Sequence, residues 1–157
     1  MIDFKGAVFD SRKVEPGMLF IALKGDRVDG HDYIGQALAK GAAGIVDGLE
    51  ELAATAREYR GTLKAKVIGV TGSAGKTPTK ELLRAFLSAA GKVHATEGNY
   101  NNNIGLPVTV LNCPRDADFL VVEMGTNHPG EIKALCDIAD PDVGVVTNVG
   151  SDRKSVV

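Results

Sequence analysis

The chain is expected to be an α/β protein. A small N-terminal α/β unit (1–63) should be followed by a parallel-sheet unit (64–151). Three features carry this expectation. Short runs that are apolar on both faces (VIGV, FLVVEM, VGVVT) alternate with stretches of helical period, as in a parallel sheet covered by helices. The chain holds 19 glycines, several of them at junctions between strand and helix. One of those junctions is a glycine-rich turn closed by a lysine and a threonine.

In the first unit, residues 7–9 and 18–23 (MLFIAL) read as strands, with a turn at Pro16 and Gly17. Residues 25–31 (GDRVDGH) form a polar loop. Residues 32–40 place Ile34, Ala37 and Leu38 at helical spacing, and Gly41 stops that helix. A strand over 43–46 and an amphipathic helix over 49–59 follow, the latter with Leu49, Leu52, Ala53 and Ala56 on one face. Arg60, Gly61 and Thr62 are the expected boundary. In the second unit, strands are expected over 67–71, 93–95, 119–124 and 143–147, the last of them buried. Helices are expected over 79–90, with Leu82, Leu83, Phe86 and Leu87 inward, and over 130–139. The apolar segment 105–111 fits either type.

The stretch KVIGVTGSAGKTPTK, residues 66–80, has the chemistry of a phosphate cradle. Gly72, Ser73, Ala74 and Gly75 let backbone N–H groups close around oxyanions. The following helix N-terminus adds partial positive charge and Lys76 a full one, while the Thr77 hydroxyl can ligate Mg²⁺. Val70 stands where the full pattern has an earlier glycine, so the motif is a shortened G-x-x-G-K-T. An ordinary strand–turn–helix with an exposed lysine is the alternative.

Composition excludes several classes. Net charge is −2, which leaves no electrostatic footprint for nucleic acid. Apolar runs are too short for a bilayer-spanning helix, and the N-terminus does not read as a signal peptide. Cys113 and Cys136 read as reduced thiols of a cytoplasmic protein, and His31, His94 and His128 lack metal-ligand spacing.

Other residues stand where ligands gather in such sheets, at the carboxyl ends of strands. Glu123 ends an apolar strand, where a carboxylate is costly unless paired or cation-bound; it reads as a Mg²⁺ ligand or as a solvated strand end. The loop 96–103 (TEGNYNNN) is rich in asparagine and fits a ligand loop or a polar turn. Asp10, Ser11 and Arg12, and the loop 25–31, read equally as ligand sites or turns. Thr126, Asn127, His128 and Pro129 read as capping and turn chemistry before a helix.

Together these segments resemble the Mur ligases, ATP-dependent enzymes that build the peptide of bacterial peptidoglycan. TGSAGKT looks like the family's phosphate loop, and FDSRKVEPGMLFIALKGDRVDGHDYIGQALAKGAAGIV like its N-terminal uridine-nucleotide-binding domain. GNYNNNIGLPVTVL and VVEMGTNHPGEI are most similar to the branch that adds D-alanyl-D-alanine. The resemblance implies a UDP-N-acetylmuramoyl peptide and D-alanyl-D-alanine as substrates, ATP and Mg²⁺ as cofactors, and a cytoplasmic bacterial monomer. It implies ATP binding by Gly72, Ser73, Ala74, Gly75, Lys76 and Thr77, with Lys76 catalytic. Thr77 and Glu123 would hold Mg²⁺. Ser11, Arg12, Asp26 and Arg27 would face the uridine end, and Asn101, Asn102 and Thr126 the muramoyl end. A related folylpolyglutamate synthetase, another Mur paralogue, or a non-catalytic UDP-sugar or nucleotide-binding module are the alternatives.

Departures from the family pattern carry expectations too. The chain begins later than family members usually do, and the first unit is shortened near 46–50. Pro78 stands where the family has serine or threonine; it removes an amide and biases Thr77 away from helical geometry, so weakened ATP binding is expected. The chain also stops before the family's histidine motif and C-terminal domain. Residues 152–157 (DRKSVV) read like a translated sequencing adapter. A truncated chain without ligase activity, with an exposed sheet edge, is therefore expected.

Overall fold

A computed structural model describes residues 3–150; the tail 152–157 lies outside the described residues. The chain is mixed α/β with parallel sheets, and it divides into two units, Met1–Thr55 and Ala56–Val157. The division falls inside a helix, N-terminal to the boundary expected at 60–62.

In the first unit, β1 (Ala7–Val8), β2 (Leu19–Ala22) and β3 (Gly44–Asp47) pair in parallel, in the order β1-β2-β3. A 3-10 turn, Gly30–Tyr33, leads into α1 (Ile34–Ala39). Phe20, Ala22, Val14 and Ala37 form the core, flanked by Ile34 and Ile45. The helix α2 (Gly48–Arg60) spans the division.

The second unit is a parallel sheet of β4 (Lys66–Thr71), β5 (Val93–Ala95), β6 (Phe119–Glu123) and β7 (Val143–Val146), in the order β5-β6-β4-β7. The chain runs from β4 through α3 (Lys76–Leu87) to β5, through α4 (Gly105–Leu111) to β6, and through α5 (Glu131–Ala139) to β7. Alternation along the strands sorts the side chains: Ile68, Val70, Val121 and Ala95 share one face with Leu83 and Leu87 of α3. On α4 and α5 the packing is mutual, and they contact β6 and β4 respectively. Because β5 and β6 lie on one side of β4 and β7 on the other, the carboxyl end of β4 sits where the chain's excursions part.

Segment 105–111, which fitted either type, is a helix, and all of its residues are buried. Other expectations need correction. Leu82 and Phe86 do not face inward: they are 58% and 74% exposed, because the α3 stripe that meets the sheet runs through Lys80, Leu83 and Leu87. Leu38 and Leu49 are likewise exposed. Far from being buried, β7 pairs only with β4 among the described residues, and Val143 and Val146 are exposed. Apolar composition suggested burial, but a strand at a sheet margin has neighbours on one side only.

Candidate phosphate-binding site

The loop after β4 turns through two left-handed glycines, Gly72 (φ +138°) and Gly75 (φ +81°). A β-carbon on Gly72 would lie 2.1 Å from the Thr147 hydroxyl oxygen, so only glycine fits. Gly75 caps α3 without a side-chain bond. The amides of that first turn have no intrahelical acceptor and carry the positive end of the helix dipole. Thr79 N–H makes an early helical bond, to the Gly75 carbonyl at 3.1 Å. Pro78 therefore sits in the first turn without breaking the helix, and Thr77 is helical despite the proline after it.

The loop is held from the β7 side. Asn148 Oδ1 accepts from the Ser73 hydroxyl (2.9 Å) and from the Ala74 amide (3.0 Å). The Thr147 hydroxyl donates to the Ala74 carbonyl, and Gly150 N–H donates to Ser73 Oγ at 2.9 Å. Lys76 folds back over the turn, its ammonium donating to the Gly72 carbonyl at 2.7 Å.

Across the sheet, Glu123 ends β6 and is 2% exposed. Its two oxygens are both engaged: the Thr77 hydroxyl donates to Oε2 at 3.0 Å and Asn101 Nδ2 to Oε1 at 2.9 Å. Hydroxyl and carboxylate oxygens beside a phosphate loop suit Mg²⁺, which takes one or two protein ligands and completes its shell with water and phosphate. Among the described residues no group of three or more histidine, cysteine or acidic residues is placed to hold a metal ion.

A cleft of about 440 Å³ opens beside the loop, lined by Gly72, Ser73, Lys76, Asn148 and the segment 126–130. Thr126 lies at this cleft, but its hydroxyl donates to the His128 carbonyl (2.8 Å) and to Glu131 (3.1 Å). Glu131 also accepts the Asn127 and His128 amides (2.6 and 3.0 Å), and those bonds hold its carboxyl down at about 2. Asn102 accepts from the amides of Ile104 (3.1 Å) and Gly105 (2.8 Å), fastening the start of α4.

The remaining residues expected at a ligand lie in the first unit. Ser11 is buried and donates to Gln36 Oε1 at 2.7 Å. Arg12 is exposed and makes two bonds to Asp10 (2.9 and 2.8 Å), which lower the Asp10 carboxyl to about 2. Asp26 and Arg27 are exposed in their loop. Cys113 and Cys136 are free thiols; burial lifts Cys113 to about 11 and raises Cys136. Sequence reasoning gave no task to Asn148, Thr147 or Lys80, and it noted Thr96 only as the start of a polar loop. Their partners lie far away in the chain, so no local pattern announces them.

Residues 3–86 match the Mur ligase family catalytic domain and residues 70–153 the Mur ligase middle domain. The chain belongs to the Mur ligase family. It is 42% identical to the UDP-N-acetylmuramoyl-tripeptide–D-alanyl-D-alanine ligase of Bacillus subtilis, over 94% of this chain and 36% of that protein. With the ligase of the same name from Synechocystis the identity is 44%, over 90% and 35%. Among solved structures, a MurF ligase from Thermotoga maritima in complex with ADP superposes with a TM-score of 0.83 at 41% identity, covering 96% of this chain and 39% of that one. A MurF from Acinetobacter baumannii gives a TM-score of 0.83 at 34% identity, over 94% and 36%. The chain thus spans little more than a third of the length of the relatives it matches.

Proposed function

We propose that the second unit binds the phosphates of ATP with Mg²⁺, as part of a cytoplasmic enzyme joining D-alanyl-D-alanine to a UDP-N-acetylmuramoyl tripeptide. The observation that carries this reading is the meeting of a glycine-shaped loop, Lys76 and the Thr77–Glu123 pair at the carboxyl ends of β4 and β6. Phosphoryl transfer asks for positioning and charge neutralisation more than for covalent chemistry. The loop amides and Lys76 hold the phosphate oxygens, Lys76 leaving the Gly72 carbonyl to do so. Thr77 and Glu123 would hold Mg²⁺, which would supply charge neutralisation beside the phosphates. The terminal carboxylate of the tripeptide takes the γ-phosphoryl group as ADP leaves, the amine of D-alanyl-D-alanine attacks the acyl phosphate and gives up a proton, and phosphate leaves. Ser11, Arg12, Asp26 and Arg27 serve the uridine end; Asn101, Asn102 and Thr126 serve the muramoyl end. The B. subtilis and Synechocystis relatives carry the name of this activity, and the T. maritima relative was solved with ADP.

Calorimetry tests the site. The chain should bind Mg·ATP, and Lys76→Met should weaken that binding at least about 10-fold, the loss of a charge-assisted contact. Equal affinity in the variant sinks the assignment of Lys76. For the reaction, the full-length gene product should release phosphate only when ATP, UDP-muramoyl tripeptide and D-alanyl-D-alanine are all present.

A further inference from the structure

Among the described residues two charged side chains are buried, Glu123 and Lys80. Glu123 has a place in the site; Lys80, 1% exposed in α3, has none so far. Its ammonium donates to the Thr96 carbonyl at 2.7 Å and pairs with Glu81 at 3.0 Å. Thr96, itself buried, follows β5: its amide donates to the Val121 carbonyl at 2.9 Å, and its hydroxyl accepts the Glu123 amide at 3.0 Å. Glu123 then accepts from Thr77, which shares a face of α3 with Lys80. The bonds close a ring: α3 through Lys80 to Thr96, Thr96 to Glu123, and Glu123 back to α3 through Thr77.

An apolar side chain of similar length would fill the same space with no ammonium to desolvate. What the ammonium adds is direction. It anchors the carbonyl of the residue whose hydroxyl anchors Glu123, so the helix bearing Thr77 and the strand bearing Glu123 share one register. We infer that Lys80 is a positioning residue that, through Thr96, holds Glu123 and Thr77 at the spacing needed for a phosphate-bound divalent cation. This rests on the phosphate and magnesium reading of the site. Groups that orient metal ligands from behind are worth about 10- to 100-fold in metal affinity.

The test uses the whole chain and calorimetry with ATP in magnesium and ATP in EDTA, with thermal unfolding alongside. Lys80→Met and Thr96→Val should each weaken Mg·ATP binding about 10-fold while changing ATP–EDTA binding by less than about twofold. Lys80→Arg, which keeps a donor, should lose less than Lys80→Met. Loss of equal size with and without magnesium, or full magnesium dependence in Lys80→Met, overturns the inference while wild-type binding stands. A wild-type chain that binds ATP in neither condition overturns the site reading and this inference with it. If Lys80→Met does not fold, Thr96→Val decides; if both lose the cooperative transition, the ring is a folding element and the inference fails.

Discussion

At Gly72 the backbone has φ +138°, and an added methyl would meet the Thr147 hydroxyl oxygen at 2.1 Å. Gly72→Ala should therefore destabilise the chain by about 1–3 kcal/mol and abolish Mg·ATP binding. Urea unfolding and calorimetry check the two effects, and an unchanged midpoint would count against the geometry. Pro78 costs α3 little, because first-turn amides have no intrahelical acceptor, but it leaves one amide donor fewer for the phosphates the loop is proposed to bind. Pro78→Thr should tighten ATP binding about 10-fold, the worth of one hydrogen bond to a charged group; unchanged affinity would show that the amide at this position is idle. Both residues were legible in the motif. The ring through Lys80 and Thr96 was not, since a lysine on a helix reads as solvated until the sheet is seen to cover it.

Two local devices fasten the ends of elements, and both titrate. Glu131 gathers the Asn127 and His128 amides before α5, which is why its carboxyl sits at about 2 instead of 4.5. A depressed carboxyl contributes stability that is complete above the unfolded value and disappears as pH falls through the folded one. Acid unfolding should therefore steepen between 4.5 and about 2, and Glu131→Gln should flatten that slope. His31 lies between Asp47 (Nε2 to Oδ1, 2.8 Å) and Asp29, joining the turn before α1 to the end of β3. The bonds to Asp47 and then Asp29 raise its pKa above 6.5. Here the sign reverses: the stabilisation is complete below 6.5 and is lost as pH rises through the higher folded value. Melting temperature recorded from pH 6 upward should fall more in the wild type than in His31→Gln, a neutral variant with no such titration. The apolar periodicity of α1, α2 and α3 was readable, but the width of each buried stripe was not. Leu38, Leu49, Leu82 and Phe86 fit the period and still face water, because the number of neighbours a helix meets is set by packing.

Across the second unit, the exposed margin of β7 is the chief liability. Val143 and Val146 are 54% and 60% exposed on a strand paired only with β4 among the described residues. Such an edge invites pairing with another copy. The 157-residue chain should show concentration-dependent light scattering, which Val146→Lys should reduce without lowering the melting temperature. Scattering of equal size in the variant would place the association elsewhere. No helix among the described residues is long and apolar enough to cross a membrane. The order of residues along the chain was enough to establish the α/β alternation, the parallel strands and the glycine-rich turn closed by Lys-Thr, because apolar period, glycine placement and the Lys-Thr pair are local properties. Sheet order, the margin position of β7, the clamp of Asn148 on the loop and the ring from Lys80 to Glu123 came from the fold alone. Each depends on groups brought together across long stretches of chain, and a hydrogen bond or a buried charge has no meaning until both of its partners have a place.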